Sequence, residues 1–181
     1  MASLFEHVQW WLRYRRGGPR REPLWRRLRA AGASRELVRH AEPFGEDAAA
    51  AWAECPRPTW LLELALRAGV SRRRVADAAR AVGAEEAADA LDADAPLEEL
   101  LEAARQRATE IVEQREDVQT ANEAARRVRA TRDFEAWGEA RNALDAAYTA
   151  GQRELADAIR ERLRFEEVRL ALDGLDSHPY R

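Results

Sequence analysis

The sequence predicts an all-α protein, a helical bundle in which short N-terminal helices pack on a long antiparallel helical hairpin. Three observations predict it. The 181 residues include 38 alanines and 30 arginines, and few are β-branched. Alanine and arginine favour helices, whereas strands favour β-branched residues. No proline lies between 97 and 178, so long helices can form there.

Glycine and proline divide the first half of the chain into short segments with helical spacing. A capping-box pattern at Ser3 and Glu6 precedes a first helix, which ends at Gly17. Ser34, Thr59 and Ser71 are expected N-caps of later helices. The expected helical segments are "PLWRRLRA", "RELVRHA", "EDAAAAWAE", "WLLELALRA", "RRRVADAARAV" and "EEAADAL".

The second half predicts two long helices that pair antiparallel. Pro96 begins a helix to about Ala130, in which apolar or small residues recur at nearly 3.5-residue steps. Its partner runs from 134 to 172, starting at a cap of Asp133 or Thr131. Gly151 either breaks this partner or lies within it, and the pairing is either within one chain or between two. The seam residues are Leu97, Leu101, Ala104, Ala108, Ile111, Val118 and Ala125, facing Phe134, Trp137, Leu144, Tyr148, Leu155, Ile159 and Leu163.

These segments predict one domain over 1–174 and a polar tail at 175–181. Within it we expect a basic N-terminal helical subdomain (1–50), a short-helix region (52–93) and the long hairpin (96–172). The apolar fraction of 46% argues against global disorder.

Charge is distributed unevenly along the chain, which has a net charge of −3. Residues 1–40 carry a net charge of +7, and residues 41–103 a net charge of −8. The two segments either pack against each other or contact external partners. An N-terminal arm rich in tryptophan and arginine could contact nucleic acid or an anionic membrane. Its candidate residues are Arg13, Arg15, Arg16, Arg20, Arg21, Arg26 and Arg27.

An acidic run between 85 and 102 is the other candidate surface. It is either a solvated helix face or a docking surface for a basic protein, where charge would raise the association rate. Its residues are Glu85, Glu86, Asp89, Asp92, Asp94, Glu98, Glu99 and Glu102.

Catalytic and cofactor motifs are absent from the sequence. Cys55 is the only cysteine, and the histidines are His7, His40 and His178. A nucleophilic cysteine needs a base and a group to orient it, so we interpret Cys55, Thr59 and Trp60 as structural. The chain has neither a metal-binding His or Cys spacing nor a glycine-rich phosphate loop. We therefore expect no enzyme activity, no metal and no cofactor.

The chain has no signal-peptide pattern, and one cysteine cannot form an internal disulfide. We therefore expect a cytoplasmic protein. Arginine without lysine is typical of GC-rich bacterial genes.

The stretch "CPRPTWLLELALRAGVSRRRVADAA" resembles a signature of alanine-rich, all-helical bacterial immunity proteins of polymorphic-toxin systems. Residues 52–83 and 140–172 carry the resemblance, although Leu155 stands where that family usually has cysteine. The resemblance implies a protein that binds and neutralises a toxin encoded nearby. The alternative is a helical adaptor or scaffold subunit that uses the arginine-rich N-terminal arm.

Overall fold

The protein is all-α, and the computed structural model describes residues 22–85, 88, 89, 95–131 and 133–176, without the side chains of 81 and 173–176. These ranges contain no β-strand. A 3₁₀ turn at Glu42–Phe44 follows the second helix. The α-helices are α1 (Leu24–Ala30), α2 (Arg35–Ala41), α3 (Ala48–Ala53), α4 (Pro58–Ala68), α5 (Arg72–Ala81), α6 (Leu97–Glu113), α7 (Glu116–Arg129), α8 (Phe134–Arg162) and α9 (Phe165–Asp176).

Helix α4 is the centre of the fold. Helices α1, α5, α6, α8 and α9 all pack against it, so nearly every face of α4 is covered. This explains why most of its residues are apolar. Leu61, Leu62 and Leu64 are completely or almost completely buried. Burial of each leucine side chain contributes roughly 1.5–3 kcal/mol. The helix ends at Gly69, whose left-handed φ of 96° favours glycine.

The start of α2 is capped by a residue of α4. Glu63 is buried, and its carboxylate accepts hydrogen bonds from the Ser34 backbone N–H (2.7 Å) and hydroxyl (2.6 Å). The Ser34 hydroxyl in turn accepts from the Leu37 N–H (3.4 Å). In a capping box a glutamate three residues after the cap takes this role, and here that position is Leu37. The cap therefore ties the N-terminal helices to α4.

The predicted helix from Pro96 to Ala130 is wrong, because two helices, α6 and α7, occupy this range. The helical conformation is interrupted at Gln114 and Arg115, and Arg115 has an extended ψ of 139°. Its guanidinium donates to Asp117 (3.0 Å) and to Glu154 of α8. The hydrogen bond from Arg115 lowers the pKa of the Asp117 carboxyl. Arg115 is thus hydrogen-bonded to both α7 and α8, and these bonds stabilise the interruption between α6 and α7.

The predicted seam of α6 is also rotated. The buried side of this helix consists of Leu100, Ala104, Ala108 and Val112, whereas Leu97 is only half-buried. Apolar residues spaced every 3.5 positions form a narrow stripe that packs against one partner helix. Because α6 packs on both α4 and α8, its buried face follows steps of four instead.

Helix α8 continues through Gly151, which is buried against Val112 of α6. A Cβ at this position would lie 3.0 Å from Val112 Cγ1 and 2.9 Å from Arg115 Cδ. The predicted helix to 172 nevertheless breaks at Leu163, whose side chain is completely buried. The next helix, α9, starts where the Glu167 carboxylate accepts from the Arg164 N–H and from the Arg74 guanidinium.

Three local predictions need correction or refinement. Thr59 is not the N-cap of α4, because Pro58 begins this helix one residue earlier and Arg57 is the N-cap. Ser71 is the N-cap of α5, but its side chain makes no capping hydrogen bond. Asp133 caps α8 by accepting from the Ala136 N–H at 3.1 Å.

Several predictions lie outside the described residues. These are the first helix after Ser3, most of "EEAADAL", the tail after 176, and the candidate residues Arg13, Arg15, Arg16, Arg20, Arg21, Glu86, Asp92 and Asp94.

Candidate partner-binding surface

Cys55 lies in the loop before α4 and is completely buried. Burial raises the pKa of its thiol from 9.0 to about 11. The Sγ atom lies 3.5 Å from the Arg57 carbonyl, a weak hydrogen bond. A nucleophile is the thiolate, so this environment disfavours reaction and favours packing.

The loop around Cys55 is held by Arg160 of α8. Its Nε donates to the Trp52 carbonyl at 3.0 Å, and a terminal nitrogen donates to the Cys55 carbonyl. Trp52 lies in the last turn of α3 and Cys55 follows this helix, so neither carbonyl can accept an N–H from a further turn of α3. The Arg160 guanidinium thus connects α8 to the end of α3 and to the loop that precedes α4.

Trp60 lies half-buried at the edge of the core. The ring of His40 lies 5.5 Å from it, and the guanidinium of Arg57 lies 4.8 Å above it. His40 also contacts the Ala51 carbonyl at 2.9 Å through Nε2. These contacts explain the stretch around Trp60 as packing and leave Trp60 partly exposed.

The acidic candidates that the structure describes are exposed. Glu98, Glu99 and Glu102 lie together on the first turns of α6, while Glu85 and Asp89 lie before it. Three of the five pair with arginines of the same chain, at distances of 3.1–3.7 Å: Glu98 with Arg67, Asp89 with Arg80 and Glu102 with Arg105. Exposed pairs of this kind are worth about 0–1 kcal/mol, so they remain open to a partner.

Two of the basic candidates lie on α1. Arg27 donates to the Leu172 carbonyl of α9 at 2.6 Å and so contributes to the fold. Arg26 is exposed, and its guanidinium lies 5.1 Å from the Trp25 ring. Arg26 therefore remains available to an external anion, whereas Arg27 has an internal role.

Sequence reasoning missed a projecting arm, which we define as residues 119–147. It consists of most of α7 and the first half of α8. No described residue of the arm is buried, and α7 packs chiefly on α8. All the buried residues of α8 (Gly151, Ala156 and Ile159) lie beyond the arm. At 1.5 Å per residue, the arm extends about 20 Å from the body.

The end of the arm presents aromatic side chains. Phe134 was expected on the core-facing stripe, but the residue is 84% exposed, because no described residue packs over it at the turn that joins α7 to α8. Trp137 lies one turn further along, half-buried, with the Arg141 guanidinium 5.6 Å from its ring. An exposed phenylalanine beside a tryptophan is a feature of protein interfaces.

The residue types at the half-buried positions of α7 and α8 could have indicated the arm. Inside the arm the half-buried positions are largely alanine, such as Ala121, Ala125 and Ala140. Alanines allow two helices to pack closely but add little burial. The larger apolar residues of the arm, such as Val128, Trp137 and Leu144, are only half-buried, so the arm adds no side chain to the main core.

Neither a metal centre nor a membrane-spanning helix is found in the described ranges. No group of three or more His, Cys, Asp or Glu side chains there is placed to hold a metal ion. Among the helices of the same ranges, none combines the length and apolar character that crossing a membrane requires. Comparison with known proteins finds no matching family model, no matching curated protein and no matching solved structure.

Proposed function

We propose that this chain is a non-enzymatic protein-binding protein that acts as a bacterial immunity protein and neutralises a toxin by contact through the arm. The observation that carries the proposal is the arm itself, which stays outside the core and ends in the exposed Phe134. The resemblance of the stretch around Trp60 to immunity proteins supplies the class of partner.

The arm is suited to binding because it is already formed. Its two helices pack on each other, so a partner does not have to pay the entropy of folding them. Burial of a phenylalanine side chain contributes roughly 1.5–3 kcal/mol. Trp137 lies one turn away, and tryptophan is among the residue types that contribute most to the binding free energy of protein interfaces.

Neutralisation would follow from the shape of the arm. A rod of two helices about 20 Å long can enter an active-site cleft and exclude the substrate. This mechanism needs no catalytic group on the immunity protein. It requires only that Phe134 and Trp137 fill a pocket on the toxin.

The acidic residues of α6 take a secondary part in this proposal. Glu98, Glu99 and Glu102 lie on the first turns of α6, roughly 16–22 Å along the helix from its C-terminal end, which precedes α7. They therefore do not share a small footprint with Phe134. Their role would be to steer a basic partner, which affects the association rate more than the affinity.

The test is co-expression with the product of the adjacent gene. We expect a stable complex and rescue of growth when that product is toxic. The double variant Phe134→Ala, Trp137→Ala should weaken the complex by about 2 kcal/mol or more and abolish rescue. Absence of both complex and rescue with the unmodified protein would refute the proposal.

A control variant separates binding from folding. Leu170 on α9 is also a large apolar residue, 65% exposed, but lies away from the arm. Leu170→Ala should retain the complex and the rescue. Circular dichroism and the melting temperature should match across the three proteins, since all the substituted side chains are at least partly exposed.

A further inference from the structure

A cleft lies between the start of α4, the middle of α6 and the middle of α8. Its volume is about 390 Å³, within the range of small-molecule sites in proteins. Its walls include Arg57 and Trp60 from α4, Arg105 and Thr109 from α6, and Tyr148 and Gln152 from α8. Residues of three separate helices and the N-cap Arg57 thus line one partly open cleft.

The cleft is positively charged, although the chain as a whole has a net charge of −3. Arg57 and Arg105 line it, and the described lining residues include no carboxylate. Arg57 contacts the Trp60 ring and has no ion pair among the described residues. Arg105 pairs with Glu102 at 3.1 Å, an exposed contact that a better anion can replace. Two guanidinium groups can grip a phosphate or carboxylate through parallel hydrogen bonds.

Neutral polar groups complete the lining. The Tyr148 hydroxyl and the Gln152 amide make no hydrogen bond within the described part of the chain, so both are free to donate to a ligand. The Thr149 hydroxyl already donates to the Asp145 carbonyl at 2.7 Å and can only accept. The polar groups thus include both donors and acceptors.

Aromatic side chains give the cleft flat walls. Trp60 and Tyr148 contribute their rings from different helices. Flat apolar walls beside two cations suit a ligand that combines a planar ring with an anionic group. A simple inorganic anion would leave these rings without a contact.

We propose that this cleft binds a small phosphorylated ligand with a planar ring, of the nucleoside monophosphate class. The guanidinium groups of Arg57 and Arg105 hold the phosphate, while Tyr148 and Trp60 contact the base. The site lies on the body of the protein and is independent of the toxin-binding role proposed for the arm.

The experiment is calorimetric titration of the full-length chain with adenosine monophosphate at about 50 mM salt, where charge contacts are weakly screened. We expect a dissociation constant below about 1 mM. Adenosine and inorganic phosphate, titrated separately, should each bind at least about tenfold more weakly, because each lacks half of the contacts. Equal affinity for phosphate alone or adenosine alone would overturn the proposal.

Variants locate the site. Arg57→Ala and Arg105→Ala should each weaken adenosine monophosphate binding by about tenfold. Arg126→Ala, an exposed arginine on the arm, should leave the affinity within about twofold. Both cleft arginines are exposed, so the variants are expected to fold. Unchanged affinity in the Arg57 and Arg105 variants, or no binding by the unmodified protein, would refute the site without affecting the arm proposal.

Discussion

At the scale of single residues, charged side chains in this protein join helices that are distant in sequence. Glu63 caps α2 through Ser34, and Arg160 holds the carbonyls of Trp52 and Cys55. The residue types are visible in the sequence, and Ser34 was predicted as an N-cap. Their partners were not predictable, because they lie 29 to 108 positions away along the chain.

Cys55 provides a prediction about pH dependence. Its thiol has a pKa of about 11 in the folded protein and 9.0 as the reference value. The folded state therefore keeps the proton to higher pH than the unfolded chain. Stability from this group is complete below pH 9.0 and is lost as the pH rises towards 11. The full loss amounts to about 2–3 kcal/mol.

The measurement is urea unfolding of the unmodified protein and of Cys55→Ala at about pH 8 and about pH 10.5. Between these two pH values the unmodified protein should lose about 1–2 kcal/mol more than the variant. Titration of other groups is common to both proteins and cancels. Parallel pH profiles would show that the thiol does not titrate differently in the two states.

At the scale of elements, local signals place several helix ends, but they do not place the breaks inside the two predicted long helices. Asp133 caps α8 and Gly69 ends α4, as expected from side-chain chemistry and glycine conformation. The breaks at Arg115 and Leu163 were missed. No glycine or proline marks either break, and each is stabilised by contacts with other helices, through Glu154 for the first and burial of Leu163 for the second.

The two interior glycines of α8 form a matched pair for a test of packing. A Cβ at Gly138 would meet nothing within 4 Å, whereas a Cβ at Gly151 would lie 3.0 Å from Val112. Gly138→Ala should raise the free energy of unfolding by about 0.5–1 kcal/mol through helix propensity. Gly151→Ala should instead lower it by about 1–3 kcal/mol, because Val112 is buried and cannot easily move.

Both values are measured by urea unfolding at constant pH. The opposite signs are the result that matters, since helix propensity alone would stabilise both variants. If Gly151→Ala were as stabilising as Gly138→Ala, the close approach of α6 to α8 would not be rigid.

At the scale of the whole molecule, the described residues form a packed body around α4 and an arm whose two helices pack chiefly on each other. Leucines and alanines of α1, α2, α4, α5, α6, α8 and α9 share one core cluster with Trp52 of α3, whereas no arm residue belongs to it. Helix α7 therefore depends for its stability chiefly on α8. Two helices without a larger core are stabilised weakly.

Hydrogen exchange should reveal this division. We expect backbone amides at 120–129 and 136–146 to exchange at least about 100-fold faster than those of Leu61–Ala68. The reason is that the arm can open without exposing the buried leucines of α4. Exchange measured by mass spectrometry at neutral pH resolves these segments. Equal protection in the arm and in α4 would mean that the arm unfolds only with the whole protein.

The sequence by itself determined that this protein is helical and where most of its short helices lie. Composition, caps such as Ser34 and stops such as Gly69 act within a few residues, so they can be read without knowledge of the fold. Only the tertiary structure decided where the long helices break, which face of α6 is buried, and that Phe134 is exposed at the end of an arm. These features depend on which helices meet, and helix periodicity alone does not specify the partner of an apolar face.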